Sequence, residues 1–294
     1  MPAEPARFDR VIIADWSASN APSPARPSPD AIWLGTCDET GVFTQYHRTR
    51  RSAEAALTRA IAAAVGQNQR LLIGFDFPMG YPAGFAQRLT GQPTAQSVWA
   101  WLATHITDTA DNRNNRFEVA AAINRQIGLC AGAEGPFWGR PAQRQIADLP
   151  MRKTADYGML GFAQRREVEI LIPRAQPVWK LYTTGAAGSQ GLMGQPMINR
   201  LSLMPHTGVW PFHGIDATVL LAEVYPSLLA AAVAADPAPV KDEAQVRLLA
   251  RALFRLSQQA GLAPFFATPP APVTTEEGWI LGAGQTGALY RVLE

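Results

Sequence analysis

The sequence predicts an α/β fold: a mixed five-stranded sheet, formed by an antiparallel meander and then parallel strands, with flanking helices and a large inserted helical and loop cap. Three observations predict it. Short apolar runs bounded by turn formers, at 11–14, 71–75 and 219–222, have the length and texture of strands buried on both faces. Two further runs, at 31–37 and 42–48, are joined by Asp38-Glu39-Thr40-Gly41, a tight polar turn of hairpin type. Near the end, Asp242, Val246, Leu249, Leu253, Leu256 and Ala260 recur at steps of 4, 3, 4, 3 and 4, which places them on one face of a helix lying on the sheet.

In order, residues 8–16 read as the first strand, followed by a loop rich in Pro and Ser. The hairpin strands come next. Ser52 is expected to cap a helix running to about Val65, because Ala56-Leu57, Ala60-Ile61 and Ala64-Val65 recur at helical spacing. The strand at 70–76 follows. Residues 81–214 differ in texture: Pro and Gly are frequent, no strand–helix alternation is visible, and helical patches are expected only near 94–106 and 116–129. Regular character resumes with a strand at 218–224, a helix over 227–235, the long helix over 242–260 and a short strand at 279–281. The expected organisation is one domain over 1–294, its core formed by 5–80 and 215–294 and its cap by 81–214.

Composition narrows the functional class. Among 294 residues, 47% are hydrophobic and 17% charged, as in globular chains and unlike disordered ones. A net charge of +2 creates no global field for nucleic acid or anionic membranes. Residues 112–180 nevertheless hold eleven Arg or Lys against six Asp or Glu, a local excess of about +5. Two cysteines, Cys37 and Cys130, build neither a disulfide framework nor a cysteine metal site. The first ten residues lack the apolar core of a secretory signal, and the most apolar window, 219–235, is broken by Glu223 and Pro226. A cytoplasmic protein with no membrane partner is expected.

The three apolar runs each end at an acid: Asp15, Asp76 and Glu223. A strand's last residue lies at the carboxyl edge of the sheet, where α/β proteins place ligands. Acids gathered there repel one another by roughly 4 kcal/mol per pair at about 4 Å and an effective dielectric of about 20. A bound Mg²⁺ or Mn²⁺ relieves that repulsion, since hard cations take oxygen ligands from a few carboxylates, water and substrate phosphate. Asp242 points inward from the first turn of the long helix, either as a helix-start acid favoured by the dipole or as a fourth carboxylate of the set. Two metals held by such a set would stabilise the attacking and leaving oxygens of a phosphodiester displacement. Taken singly, each acid is equally readable as a strand-end residue bonded to loop amides.

Meander, helix, strand, then strand and C-terminal helix, with acids on the first and fourth strands and the last helix, resembles the ribonuclease H-like fold. The chain is also similar to a large family of uncharacterised proteins predicted to be ribonuclease H-like nucleases. The segments that carry the likeness run across nearly the whole chain: Asp15-Trp16-Ser17-Ala18, Phe75-Asp76-Phe77-Pro78-Met79-Gly80, Pro136-Phe137-Trp138-Gly139, Gly188-Ser189-Gln190, Val209-Trp210-Pro211-Phe212, Ala222-Glu223-Val224-Tyr225-Pro226-Ser227 and Glu277-Gly278-Trp279-Ile280. The resemblance implies a metal-dependent nuclease with Asp15, Asp76, Glu223 and Asp242 as metal-binding and catalytic acids. One departure is Lys241-Asp242-Glu243-Ala244, where the family often carries an Asp-Ala pair with a further acid, so Asp242 and Glu243 compete for the fourth place; periodicity favours Asp242. Some similar proteins carry a molybdenum-cofactor (guanine dinucleotide) biosynthesis label, but no nucleotidyltransferase signature is present.

Ser17 and groups in the inserted region are candidates for the substrate side. Trp138 and Arg140 place an aromatic ring beside a fork of donors, suited to stacking on a base and gripping a phosphate, or else to plain packing under a loop. Lys180 and Gln190 flank a loop punctuated by Gly185, Gly188, Gly191 and Gly194, whose amides could cradle an anion. Arg48, Arg50 and Arg51 read as a solvated face. Gly282-Ala283-Gly284-Gln285-Thr286-Gly287 fits a dinucleotide pattern, yet too little chain follows for the helix, strand and acid that the motif needs. His47, His105, His206 and His213 share no metal-ligand spacing.

Three functions remain in competition at this level. The first is a hydrolase of phosphodiester bonds in nucleic acid or a nucleotide-like substrate. The second is a Mg-nucleotide phosphotransferase or ATPase on the same core, disfavoured by a first turn, Trp16-Ser17-Ala18-Ser19, that lacks glycine and carries a bulky indole. The third is a non-catalytic protein whose acids are each tied down by a basic neighbour.

Overall fold

The computed structural model describes residues 7–267, 269 and 271–294; positions 5 and 6 of the expected core, and the start of the segment read as lacking a signal, lie outside them. The strands are β1 (Arg10–Asp15), β2 (Ile32–Asp38), β3 (Gly41–His47), β4 (Leu71–Phe75), β5 (Thr207–Trp210) and β6 (Val219–Glu223). They form one sheet in the order β3-β2-β1-β4-β6-β5. The meander β1–β2–β3 is antiparallel, and β1–β4, β4–β6 and β6–β5 are parallel. The sheet thus has six strands where five were expected. The extra one, β5, lies inside the stretch that showed no strand texture. At four residues it is too short to produce an alternation, and it is recognisable only through its pairing with β6.

The helices are α1 (Arg50–Gly66), α2 (Phe85–Thr90), α3 (Ala95–His105), α4 (Arg116–Ala131), α5 (Tyr157–Leu160), α6 (Glu167–Leu171), α7 (Ala187–Ser202), α8 (Ala230–Ala235), α9 (Lys241–Gln258) and α10 (Thr286–Arg291). Thr49, not Ser52, caps α1: its hydroxyl accepts the Ser52 amide at 3.3 Å. The helix expected at 227–235 begins as a 3₁₀ turn over Pro226–Leu229 and continues as α8. The strand expected at 279–281 is a single parallel bridge between Ile280 and Glu223.

The largest departure is α7. Gly188, Gly191 and Gly194 lie inside a helix and not on a flexible loop. Their spacing lines one face with hydrogen atoms, and the fold uses that face for close packing. A methyl at Gly194 would stand 2.3 Å from the Phe77 ring, and one at Gly188 would stand 2.4 Å from the Val178 carbonyl. Packing so close offsets the low helix propensity of glycine.

Alternation along the buried strands sends side chains to two cores. Val11, Ile13, Leu72, Leu220 and Ala222 belong to the side covered by α9. Ile12, Ala14, Ile73, Phe75 and Leu221 belong to the side covered by α1, α3 and α7. A third cluster, centred on Trp179, Phe85 and Phe137, fills the helical region between β4 and β5. α9 lies across β1 and β2 so closely that a Cβ on Gly35 would stand 2.5 Å from the Val246 backbone. That approach fixes where the first turn of α9 sits above the sheet edge.

Candidate active site

β1 and β4 run parallel with Ala14 opposite Phe75, and the Asp76 amide donates to the Ala14 carbonyl at 3.2 Å. Asp15 and Asp76 therefore leave neighbouring strand ends at the same level. Each continues the alternation of its strand, Val11–Ile13–Asp15 and Leu72–Gly74–Asp76, so both point toward the α9 side. Their carboxyl groups are within hydrogen-bond reach of each other. The Trp16 amide donates to Asp76 Oδ1 at 2.8 Å. Gln190 Nε2, on α7, donates to the Trp16 carbonyl at 2.7 Å and stands 3.5 Å from Asp76 Oδ2. Burial raises the Asp15 carboxyl well above the usual carboxylate range, and repulsion from Asp76 and Asp242 adds to it. Burial likewise raises Asp76, to about 7, opposed by the hydrogen bonds it accepts from Asp15 and the Trp16 amide. Both carboxyl groups thus hold a proton more readily than free aspartates do.

Asp242 lines the same cleft from the first turn of α9, and its Oδ2 accepts the Asp30 amide at 2.8 Å. Burial raises its carboxyl too. Glu243 turns away to accept the Thr44 hydroxyl at 2.8 Å, so of the two acids only Asp242 joins the cleft. Among the described residues no ion pair links Asp15, Asp76 or Asp242 to a basic side chain. Nor does any cluster of three or more His, Cys, Asp or Glu side chains there form a ready-made metal cage.

Glu223 is placed differently. It pairs with Phe75, one level before Asp76, and a one-residue offset turns a strand side chain to the opposite face. There, 3% exposed, it is clamped by Arg166: Nη1 donates to Oε2 and Nη2 to Oε1, both at 2.7 Å. The Met79 amide donates to Oε2 as well, at 3.0 Å. Arg166 also holds Glu169 at 2.9 Å. The third strand-end acid is thus consumed by a buried ion pair that joins the sheet to the helical region.

The cleft beside the aspartates measures about 680 Å³ and is walled by the loop after β1, the segment 181–186 and the starts of α7 and α9. Ser17 is at its edge, with its hydroxyl donating to the Asp30 carbonyl at 2.8 Å and accepting the Ser19 amide at 3.2 Å. Gln190 is in the cleft, as above. Trp138 and Arg140 are not. Arg140 spends its guanidinium on the Leu149 and Arg144 carbonyls at 3.1 and 2.7 Å, beside a separate cavity. Lys180 donates to the Thr184 carbonyl at 2.7 Å and lies 5.9 Å from the Trp138 ring, so both support the 181–186 segment from behind.

Two further expectations change. Arg50 is 2% exposed and not on a solvated face: it holds both Asp108 oxygens at 2.7 and 2.6 Å and the Ser17 and Ser19 carbonyls at 3.0 and 2.8 Å. It pins the loop that follows Asp15. Trp16 does not crowd the cleft, because its indole is buried against Phe77 with ring centroids 6.1 Å apart.

Arg116, Tyr182, Ser189 and Gln245 also line the cleft without having stood out in the sequence. Gln245 was within reach, being one turn beyond Asp242 on α9. Arg116 was one of eleven basic residues in its stretch, and nothing in the spacing set it apart. Comparison of the chain with protein-family models, curated proteins and solved structures finds no match.

Proposed function

We propose that this chain is a hydrolase of phosphate diesters, acting on nucleic acid or a nucleotide-like substrate from a ribonuclease H-like core, with Asp15 and Asp76 as the mount for Mg²⁺ or Mn²⁺. One observation carries the proposal: two carboxyl groups side by side at the carboxyl edge of the sheet, with no basic partner among the described residues, while Glu223 nearby has one. A protein that needed its strand-end acids only for architecture could neutralise all three as it neutralises Glu223. Two neighbouring buried carboxyl groups, each raised above the usual carboxylate range, suit a hard cation in place of protons. The donor set fits Mg²⁺, which takes one or two carboxylates and completes its shell with water and phosphate oxygens.

A cation held there would lower the pKa of a coordinated water and would neutralise charge on the phosphate. The protein's own residues do the rest. Asp76, oriented by the Trp16 amide and Gln190, presents a fixed oxygen to the cleft. Asp15, beside Asp76, would supply the second carboxylate to the cation. Asp242, held by the Asp30 amide, faces the pair from α9 and is placed to accept a proton from an attacking water. Arg50 pins the Ser17–Ser19 loop through its carbonyls at the wall of the cleft.

The test is Mn²⁺ titration and diester hydrolysis by the wild type, Asp15→Asn and Asp76→Asn. Removing either carboxylate is expected to weaken Mn²⁺ binding by about tenfold or more and to abolish hydrolysis. Equal Mn²⁺ affinity in all three proteins would refute the site.

A further inference from the structure

Arg116 opens α4 in the wall of the same cleft, and it is 9% exposed. Four other cations of the basic stretch are paired with acids: Arg113 with Asp111, Arg125 with Asp148, Arg144 with Glu118, and Arg166 with Glu169 and Glu223. Arg116 has no carboxylate partner among the described residues. Nε donates to the Ser189 hydroxyl at 2.9 Å and Nη1 to the Asn114 side-chain oxygen at 2.8 Å, both neutral acceptors. Nη2 has no acceptor among the described residues. The guanidinium stacks on Phe117 at 4.3 Å, which fixes its plane without cancelling its charge. Burial, with repulsion from Arg50 and Arg144, lowers its pKa to about 10, which still leaves it cationic at neutral pH.

A buried, uncompensated cation is costly unless something anionic meets it. Among the described residues Arg116 is also the one basic side chain lining this cleft. Ser189 and Asn114 hold the fork by Nε and Nη1, leaving Nη2 free to donate to an anion.

We propose that Arg116 is the substrate-anion ligand of the cleft, holding a phosphate group of the substrate. This deepens the hydrolase reading and rests on it for the identity of the anion. It also makes α4 part of the substrate wall, so the helical region serves binding as well as cover.

The experiment has two arms. In EDTA, inorganic phosphate binding is followed by calorimetry for the wild type, Arg116→Gln, Arg116→Lys and Asp15→Asn, with melting curves to confirm that each is folded. The expected result is wild-type binding, a loss of about tenfold or more in Arg116→Gln, a partial loss in Arg116→Lys, and no loss in Asp15→Asn. In the second arm, diester hydrolysis by Arg116→Gln is expected to show KM raised by about tenfold with a smaller change in kcat. Phosphate affinity unchanged in a folded Arg116→Gln, or absent in the wild type, overturns the anion site. If phosphate binding depends on Arg116 while no diester is cleaved, the anion site stands and the hydrolase reading falls. If Asp15→Asn abolishes hydrolysis while Arg116→Gln alters neither KM nor phosphate affinity, the reverse holds.

Discussion

Asp15 and Asp76 each keep a proton-binding affinity that an unfolded chain lacks, because burial first, and then repulsion from Asp76 and Asp242 on Asp15 and from Asp242 on Asp76, disfavour their charged forms. The sign of the effect on stability follows from linkage. Between the ordinary carboxylate value and about 7 the folded protein retains a proton that the unfolded chain has released, so this pair makes stability fall as pH rises through that window. Acids with depressed values, such as Asp38 and Asp236, act in the opposite sense at lower pH, and comparison with a variant cancels them. In EDTA the wild type is expected to lose melting temperature across the window more steeply than Asp76→Asn, and Mn²⁺ to remove the difference. Parallel curves would show that the pair is not the source.

The long helix α9 delivers Asp242 to the cleft because its backbone rests on Gly35 of β2. Gly35→Ala would insert a methyl 2.5 Å from the Val246 backbone, and backbone cannot yield as a side chain can. A loss of about 1–3 kcal/mol in denaturant stability is expected, with weaker Mn²⁺ binding as the first turn of α9 lifts from the Asp30 amide. A stable variant with unchanged binding would show that Asp242 is not positioned by this contact. Much at this scale was legible in advance. The meander, β4, β6 and α9 carry strong periodicity or turn chemistry, and the stripe on α9 correctly turned Asp242 inward in place of Glu243. What stayed hidden depends on neighbours. Strands apolar on both faces do not declare which way their last residue points, so Asp76 and Glu223 looked equivalent until pairing set them one level apart. The α7 glycines looked like loop residues because the rings and carbonyls that they admit lie far away in sequence.

Across the molecule, Arg166 ties Glu223 of the sheet to Glu169 of α6 and to the Glu277 carbonyl at 3.0 Å. Two more buried acids reinforce the junction by accepting main-chain amides: Glu276 that of Gly84 at 2.9 Å, and Glu277 those of Ala83 and Glu167 at 3.1 and 2.7 Å. Breaking one side of a buried charge pair leaves the other uncompensated. Glu223→Gln is therefore expected to cost about 3 kcal/mol in urea denaturation and to leave Mn²⁺ affinity unchanged. A large loss of metal binding in a stable Glu223→Gln protein would restore it as a ligand.

The order of the strands has a consequence for how the polypeptide is made. β4 and β6 touch along their length, yet nearly the whole helical region is synthesised between them. Both aspartates leave the ribosome before the helical region, whereas β6, α9 and the segment bearing Glu276 and Glu277 leave after it. A nascent chain stalled after α7 would present β4 with an open edge, the kind of slot into which a strand from another molecule can insert. Finishing translation is what fills that slot from within.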